Sequence, residues 1–292
     1  MNGVLVIDKP QGLTSHDVVV IARRTLGEKR IGHTGTLDPL ATGVLPLAIG
    51  RATRLVRFFT ASDKTYEATI RFGMTTDSYD ATGIETSRTD RIPTRSAVLT
   101  AIDGLTGDYL QLPPVFSAKK VAGHRSYRLT RHGHAVTLTP VPVRVSRSNL
   151  LDFTEDSARV SLTCSAGFYV RSFAHALGEL TGTGAYLDAL QRTRSGEFDL
   201  DVAISMDRLL EASGPGENLI ALEGLLVSLP AVTLTDRGRV YVSHGRELSP
   251  VDYANEPVNS AWVRLLDATG ELVALATPGQ TPGSLHPSVV LV

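Results

Sequence analysis

The chain has 292 residues, 42% of them apolar, with 29 Lys and Arg against 30 Asp and Glu and a single cysteine. That length can bury a sizeable core and has room for roughly two domains. Cys164 alone excludes an intramolecular disulfide framework, and the apolar runs fall short of the ~20 residues that a membrane helix needs. The apolar run before Asp8 and Lys9 is too short for the core of a signal peptide, so a cytoplasmic protein is expected.

In chain order, residues 3–7 read as a short strand. Thr14 or Ser15 can cap a helix over 16–26, with Val18, Val19 and Ala22 on its inner face. A glycine- and proline-rich segment follows, GHTGTLDPLATGVLP, and then an apolar strand over 44–49. Residues 51–59 read as a helix with Arg51, Arg54 and Arg57 along one side. Residues 66–72 alternate as a strand, and 93–105 look helical. Two strand-like runs, 141–153 and 158–165, precede a helix over 169–180 and another over 185–191. Residues 212–217 (ASGPGE) form a hinge-like break, and beyond 223 short strands (262–267, 271–277, 288–292) indicate a small β-rich domain. Strands and helices without regular βαβ alternation argue for an α+β fold.

The net charge of −1 hides an asymmetry. Residues 1–194 carry 24 Lys or Arg against 17 Asp or Glu, whereas 195–292 carry 5 against 13. Between Tyr109 and Leu151 there are seven Lys or Arg, among them Lys119, Arg125, Arg128 and Arg131, and no acid. Tyr109, Phe116 and Tyr127 are interleaved with them. Such a stretch is either a solvated face or an arm that follows a phosphate backbone, and the absence of acids favours the arm.

Asp38 is the one carboxylate in the GHTGTLDP segment. Gly32, Gly35 and Gly43 permit backbone angles closed to other residues, and Pro39 and Pro46 fix φ. Asp38 is then a side chain held in place for chemistry, or a turn residue satisfying its own backbone. His33 is a structural hydrogen-bonder or a ring that stacks on a base. Arg171 opens a helix, where the macrodipole disfavours it, and it can pair with a carboxylate. Ser15-His16-Asp17 spells a hydrolase triad, but adjacent helical residues diverge, so capping is the better reading. No phosphate-cradling GxxxxGK[ST] and no GxGxxG after a strand occurs.

Six blocks in order resemble the TruB family of pseudouridine synthases: DKPQGLTSHDVV (8–19), GHTGTLDPLATGVLPLAIGRATR (32–54), KTYEATIRFGMTTDSYDATG (64–83), QLPPVFSAKKVAGHRSYRL (111–129), CSAGFYVRSFAHALG (164–178) and LQRTRSGEF (190–198). The resemblance implies a central mixed, largely antiparallel sheet flanked by helices over residues 1–222, with a basic RNA-clamping insertion at about 109–151. It also implies a PUA-like β-rich domain over 223–292. It makes Asp38 the nucleophile, Tyr66 the active-site tyrosine and Arg171 the partner of Asp38. Lys9, Tyr169 and Leu190 line or support the site, His33 intercalates in the T-loop, and Lys119, Arg125, Arg128 and Arg131 bind RNA. The implied activity is isomerisation of uridine 55 in the T-arm of tRNA by a monomer without cofactor, metal or guide RNA, compatible with a role in tRNA folding. The chain departs from the family at Ala176, where Asp is usual, at Phe168, where Thr is common, and in its acidic C-terminal third. Rival readings are a noncatalytic RNA-binding protein, a guide-dependent synthase of the dyskerin type, and a nucleoside-cleaving hydrolase.

Overall fold

The computed structural model describes residues 1–114, 138–211, 216–255 and 260–292, together with the backbone of 120–121 and 124–125. Among them, ten strands form one large sheet. Its main path runs Ile220–Ala221, Gly3–Lys9, Thr42–Ile49, Ala185–Ser195, Lys64–Phe72, Ser157–Cys164, Val141–Phe153 and Gly107–Gln111. Neighbours along this path are antiparallel except where Ala185–Ser195 runs parallel to Thr42–Ile49. The sheet is therefore mixed and largely antiparallel, as expected.

Alternation along the strands feeds separate cores, because successive side chains point to opposite faces. Leu5, Ile7, Leu45 and Leu47 pack with Val18, Val19 and Ala22 of the helix Ser15–Leu26, and with Leu37 and Ala41. Val4, Val6, Val44 and Ala48 face the other way. They meet Leu272, Leu275 and Val289 of a second, five-stranded sheet formed by Ala231–Leu234, Tyr253–Ala254, Val263–Leu266, Leu272–Pro278 and Leu285–Val290, together with Leu291 just beyond its last strand. The Arg57 guanidinium lies 4.9 Å from the centre of the Trp262 ring, and the Phe58 and Trp262 rings meet edge-on at 4.8 Å. A third core joins the helices Arg95–Gly104 and Val170–Thr181 to the strands Lys64–Phe72 and Ser157–Cys164. Each fully buried Phe173 or Leu177 there contributes roughly 1.5–3 kcal/mol.

Three expectations are corrected. Residues 185–191 are not a helix but part of the central strand Ala185–Ser195. Ala, Leu, Asp and Gln favour a helix locally, but this segment fills the gap between Thr42–Ile49 and Lys64–Phe72, and ladder bonds on both sides override propensity. Residues 51–59 are not one helix: a 3-10 turn, Gly50–Leu55, leads into the short α-helix Val56–Ala61. Of the three glycines around Asp38, only Gly43 has a positive φ, at 96°. A Cβ there would stand 2.3 Å from the Arg192 carbonyl oxygen, so Gly43 is what admits the parallel neighbour. Residues 212–215 of the hinge-like break lie outside the described residues.

Candidate active site

Asp38 sits on a loop tied down from several sides. The Ser15 hydroxyl donates to the Leu37 carbonyl at 3.0 Å and accepts from the Leu37 N–H at 2.8 Å. Gly12 N–H donates to the Pro39 carbonyl, Ala41 N–H to the Asp38 carbonyl, and Thr34 N–H to the Pro46 carbonyl. Ser15 is thus a brace for this loop, and Asp17 belongs to a capping box with Thr14, which leaves no triad. With its backbone committed, Asp38 presents a carboxylate that is 43% exposed to a cavity.

The helix Val170–Thr181 begins directly opposite. Arg171 is 8% exposed, and its Nη2 lies 2.9 Å from Asp38 Oδ2. Its Nη1 lies 3.5 Å from Asp80 Oδ2 and donates to the Ser78 carbonyl at 3.4 Å. Arg171 is therefore no surface residue: its planar fork bridges two carboxylates. Asp80 is 4% exposed and is fixed in turn by Ser78 Oγ at 2.8 Å and by the Thr82 N–H and hydroxyl at 3.0 and 2.6 Å. The loop that carries it is anchored to the central strand through Leu187. Tyr79, at φ 63°, stacks its ring on His175 at 4.0 Å.

The cavity beside Asp38 measures about 420 Å³ and is lined by Asp38, Tyr66, Tyr169, Arg171, Leu190 and Arg192, among others. A second compartment of about 500 Å³, walled by Leu40, Asp77 and Ile84, shares Asp38 and Arg171 with the first. Both volumes lie in the range of small-ligand sites. Burial raises the pKa of the Tyr66 hydroxyl, and the Arg192 guanidinium opposes this. Arg192 is 1% exposed. Its Nε donates to the Val44 carbonyl at 2.7 Å and its Nη2 to the Gly35 carbonyl at 3.2 Å, which braces the Asp38 loop from beneath. Lys64 also lines the cavity and donates through Nζ to the Phe59, Thr60 and Ser62 carbonyls. Burial, helped by Arg192, lowers its pKa to about 8.

Five residues singled out from sequence, Asp38, Tyr66, Tyr169, Arg171 and Leu190, thus share one cavity. Lys9 does not line it. Fully buried, it donates to the Pro10 and Leu13 carbonyls at 2.8 Å each and supports the turn that meets Pro39. Burial is the main cause that lowers the Lys9 pKa to about 8, while the charge of Asp38 acts the other way. His33 ends the strand Ile31–His33, paired with Leu47, half-buried and outside the lining of this cavity. Lys119, Arg128 and Arg131 lie outside the described residues, and Arg125 is described in its backbone alone, opposite Lys120. Sequence reasoning missed Asp80, Arg192 and Lys64. The signal available for Asp80 was its setting, Ser78-Tyr79-Asp80-Ala81-Thr82, in which two hydroxyl side chains flank a carboxylate.

The family model described as TruB family pseudouridylate synthase, N-terminal domain, matches residues 23–170. A protein of Solibacter usitatus named tRNA pseudouridine synthase B is 44% identical over the whole length of both chains. The chain belongs to the TruB family. A Dehalococcoides mccartyi relative of the same name is 38% identical over 100% of this chain and 97% of its own. Among solved structures, a chain of an H/ACA RNP bound to a substrate RNA containing 2′-deoxyuridine has a TM-score of 0.77 at 23% identity, over 99% of this TruB-family chain and 85% of its own. A chain of a Cbf5-Nop10-Gar1 complex has a TM-score of 0.76 at 25% identity, with the same coverage. These likenesses establish the pseudouridine synthase fold.

Proposed function

We propose that this TruB-family chain is a standalone tRNA pseudouridine synthase that isomerises uridine 55 in the T-loop to pseudouridine. The observation that carries the reading is the Asp38–Arg171 ion pair at 2.9 Å on the wall of a cavity that also holds Tyr66 and Leu190. A carboxylate fixed in place, with a cation beside it and apolar and aromatic walls around it, is what glycosidic isomerisation of a base requires. The reaction breaks the N1–C1′ bond, rotates the uracil and joins C5 to C1′. The proton lost at C5 balances the one gained at N1, so neither redox chemistry nor an activated donor is involved.

The target must leave its stack, at a few kcal/mol, less in a loop than in a duplex. Tyr66 and Leu190 offer the flipped uracil two apolar surfaces. Asp38 attacks C1′ or C6, or assists elimination to a glycal. Tyr66 then faces C5 for its deprotonation. Its raised pKa means that it waits as the neutral phenol, so it takes the C5 proton only as it gives its own to N1, and the Arg192 charge favours that ionisation. His33 contacts the opened T-loop from outside the cavity, and the basic stretch 109–151 follows the T-arm phosphates. Residues 223–292 form a PUA-like domain, and the protein works as a cytoplasmic monomer without guide RNA. A nucleoside hydrolase would need a second carboxyl group as acid. Asp80, the nearby candidate, has its oxygens occupied by Ser78, Thr82 and Arg171.

The test is incubation of the purified protein with an isolated T-arm stem-loop, followed by mapping of pseudouridine and assay for free uracil. Wild type should convert uridine 55 with no added RNA and release no uracil. Asp38→Asn should make no product while binding the stem-loop within about threefold of wild type. Product formation by Asp38→Asn overturns the assignment of the nucleophile.

A further inference from the structure

Gln111 has no part in the chemistry above, yet it is 4% exposed at the end of the Gly107–Gln111 strand, the edge of the large sheet. Its side-chain amide grips the backbone of Tyr169 in both directions. Tyr169 N–H donates to Gln111 Oε1 at 2.8 Å, and Gln111 Nε2 donates to the Tyr169 carbonyl at 3.0 Å. Tyr169 is the residue from which the helix Val170–Thr181 starts, and its side chain makes no cap for that helix. One residue beyond Gln111, the Leu112 carbonyl accepts from the Ser172 hydroxyl at 2.7 Å. The two ties lie on either side of Arg171, and both come from a segment about sixty residues away in sequence.

Helix starts are ordinarily set by a capping side chain just before the first turn. Here local sequence supplies none, so the height and rotation of the first turn are set from outside. A single hydrogen bond would leave the turn free to pivot. Two bonds to the N–H and C=O of one residue fix its orientation, and the Ser172 bond fixes it again one step further on. Arg171, between them, must reach two carboxylates at 2.9 and 3.5 Å at once, which leaves little tolerance for a slide of the helix start.

We propose that Gln111 is a positioning residue for the isomerisation: its amide sets the start of the catalytic helix, and so places Arg171 on Asp38 and Tyr169 in the cavity wall. The proposal rests on the function proposed above. It differs from a purely structural staple, whose loss would lower the melting temperature and leave the folded enzyme's rate intact. It differs equally from a role in holding the basic stretch, whose loss would appear in RNA affinity.

The experiment measures single-turnover pseudouridine formation at saturating T-arm stem-loop for wild type, Gln111→Met and Gln111→Glu. Stem-loop affinity is measured for each of the same changes combined with Asp38→Asn. Gln111→Met keeps the size but neither hydrogen bond; Gln111→Glu keeps the acceptor for the Tyr169 N–H. Gln111→Met should lose about tenfold or more of the saturated rate, in line with the sensitivity of catalysis to small misplacements. Its affinity should stay within about twofold, and Gln111→Glu should recover part of the rate. A saturated rate for Gln111→Met within twofold of wild type overturns the proposal, as does a loss confined to affinity. Should Gln111→Met fail to fold, Gln111→Glu decides: a wild-type melt with a reduced saturated rate supports the proposal, and a wild-type rate overturns it. Absence of product from wild type itself instead overturns the functional reading on which the proposal stands.

Discussion

Arg171 shows how much of the site hangs on the shape of one side chain. A guanidinium presents its donors in a rigid fork, so one residue meets Asp38 through Nη2 and Asp80 through Nη1. A lysine ammonium is a single point and cannot sit on both carboxylates in this geometry. Arg171→Lys should therefore keep the fold but lower the single-turnover rate by about a hundredfold, as expected for a displaced catalytic constellation. Arg171→Met should do worse. It leaves Asp80, 4% exposed, without its cation, and breaking a buried pair costs about 3–5 kcal/mol, readable as a lower urea midpoint. The sequence marked Arg171 as able to pair with a carboxylate, because an arginine at a helix start is out of keeping with the helix dipole, and the family resemblance named Asp38 as the partner. It did not reveal Asp80, Arg192 or Lys64. Arg192 meets the Val44 carbonyl across 148 positions and Asp80 meets Arg171 on a distant helix, pairings that no local spacing encodes, whereas Lys64 folds onto the nearby Phe59, Thr60 and Ser62 carbonyls, which its place in a strand does not announce.

At the scale of elements, the Asp38 loop and the central strand are built around each other. Gly43 lets the Thr42–Ile49 strand approach the Arg192 backbone in the one parallel pairing along the main path of the sheet. Gly43→Ala would place a methyl group 2.3 Å from a carbonyl oxygen at a φ of 96°, so strain adds to the clash. We expect a loss of more than about 3 kcal/mol in chemical denaturation, or failure to accumulate folded protein. The contrast between Gly43 and its neighbours Gly32 and Gly35 explains a limit of reading from sequence. Glycine content marked the segment as unusual but could not say which glycine the backbone requires. The strand Ala185–Ser195 makes the same point in reverse. Its composition reads as helix, and its identity as a strand comes from the two partners between which it is trapped. Elements whose period and caps agree were legible, such as the helix Ser15–Leu26 with its Thr14–Asp17 capping box.

Across the whole molecule, charge and packing divide the labour. The acidic C-terminal third closes one face of the large sheet through Leu272, Leu275 and Leu291, with Arg57 and Trp262 at its margin. The helix Ser15–Leu26 and the Asp38 loop occupy the other face of the same strands. The positive balance lies in residues 1–194, and much of it in the acid-free stretch. Replacing Arg125, Arg128 and Arg131 together with alanine should weaken T-arm binding. It should also flatten the plot of log affinity against log salt by roughly 0.7–0.9 for each phosphate that is no longer neutralised. Unchanged affinity and slope would show that this stretch is a solvated face. The C-terminal sheet was legible in the short strands beyond residue 223, whereas the shared core was not, because Val4 and Leu5 look alike until the pleat sends them to opposite faces.

Asp80 also bears on what happens to charge as the reaction runs. In the proposed reaction Asp38 attacks as a carboxylate, and an adduct to C1′ or C6 would turn it into a neutral ester. An arginine matched by Asp38 alone would at that moment become an isolated cation, largely shut off from water, and the adduct would carry that penalty. With Asp80 at 3.5 Å, the guanidinium keeps a counter-charge before, during and after the covalent step. The cost of desolvating this arginine is met once, when the chain folds, and does not recur with each uridine.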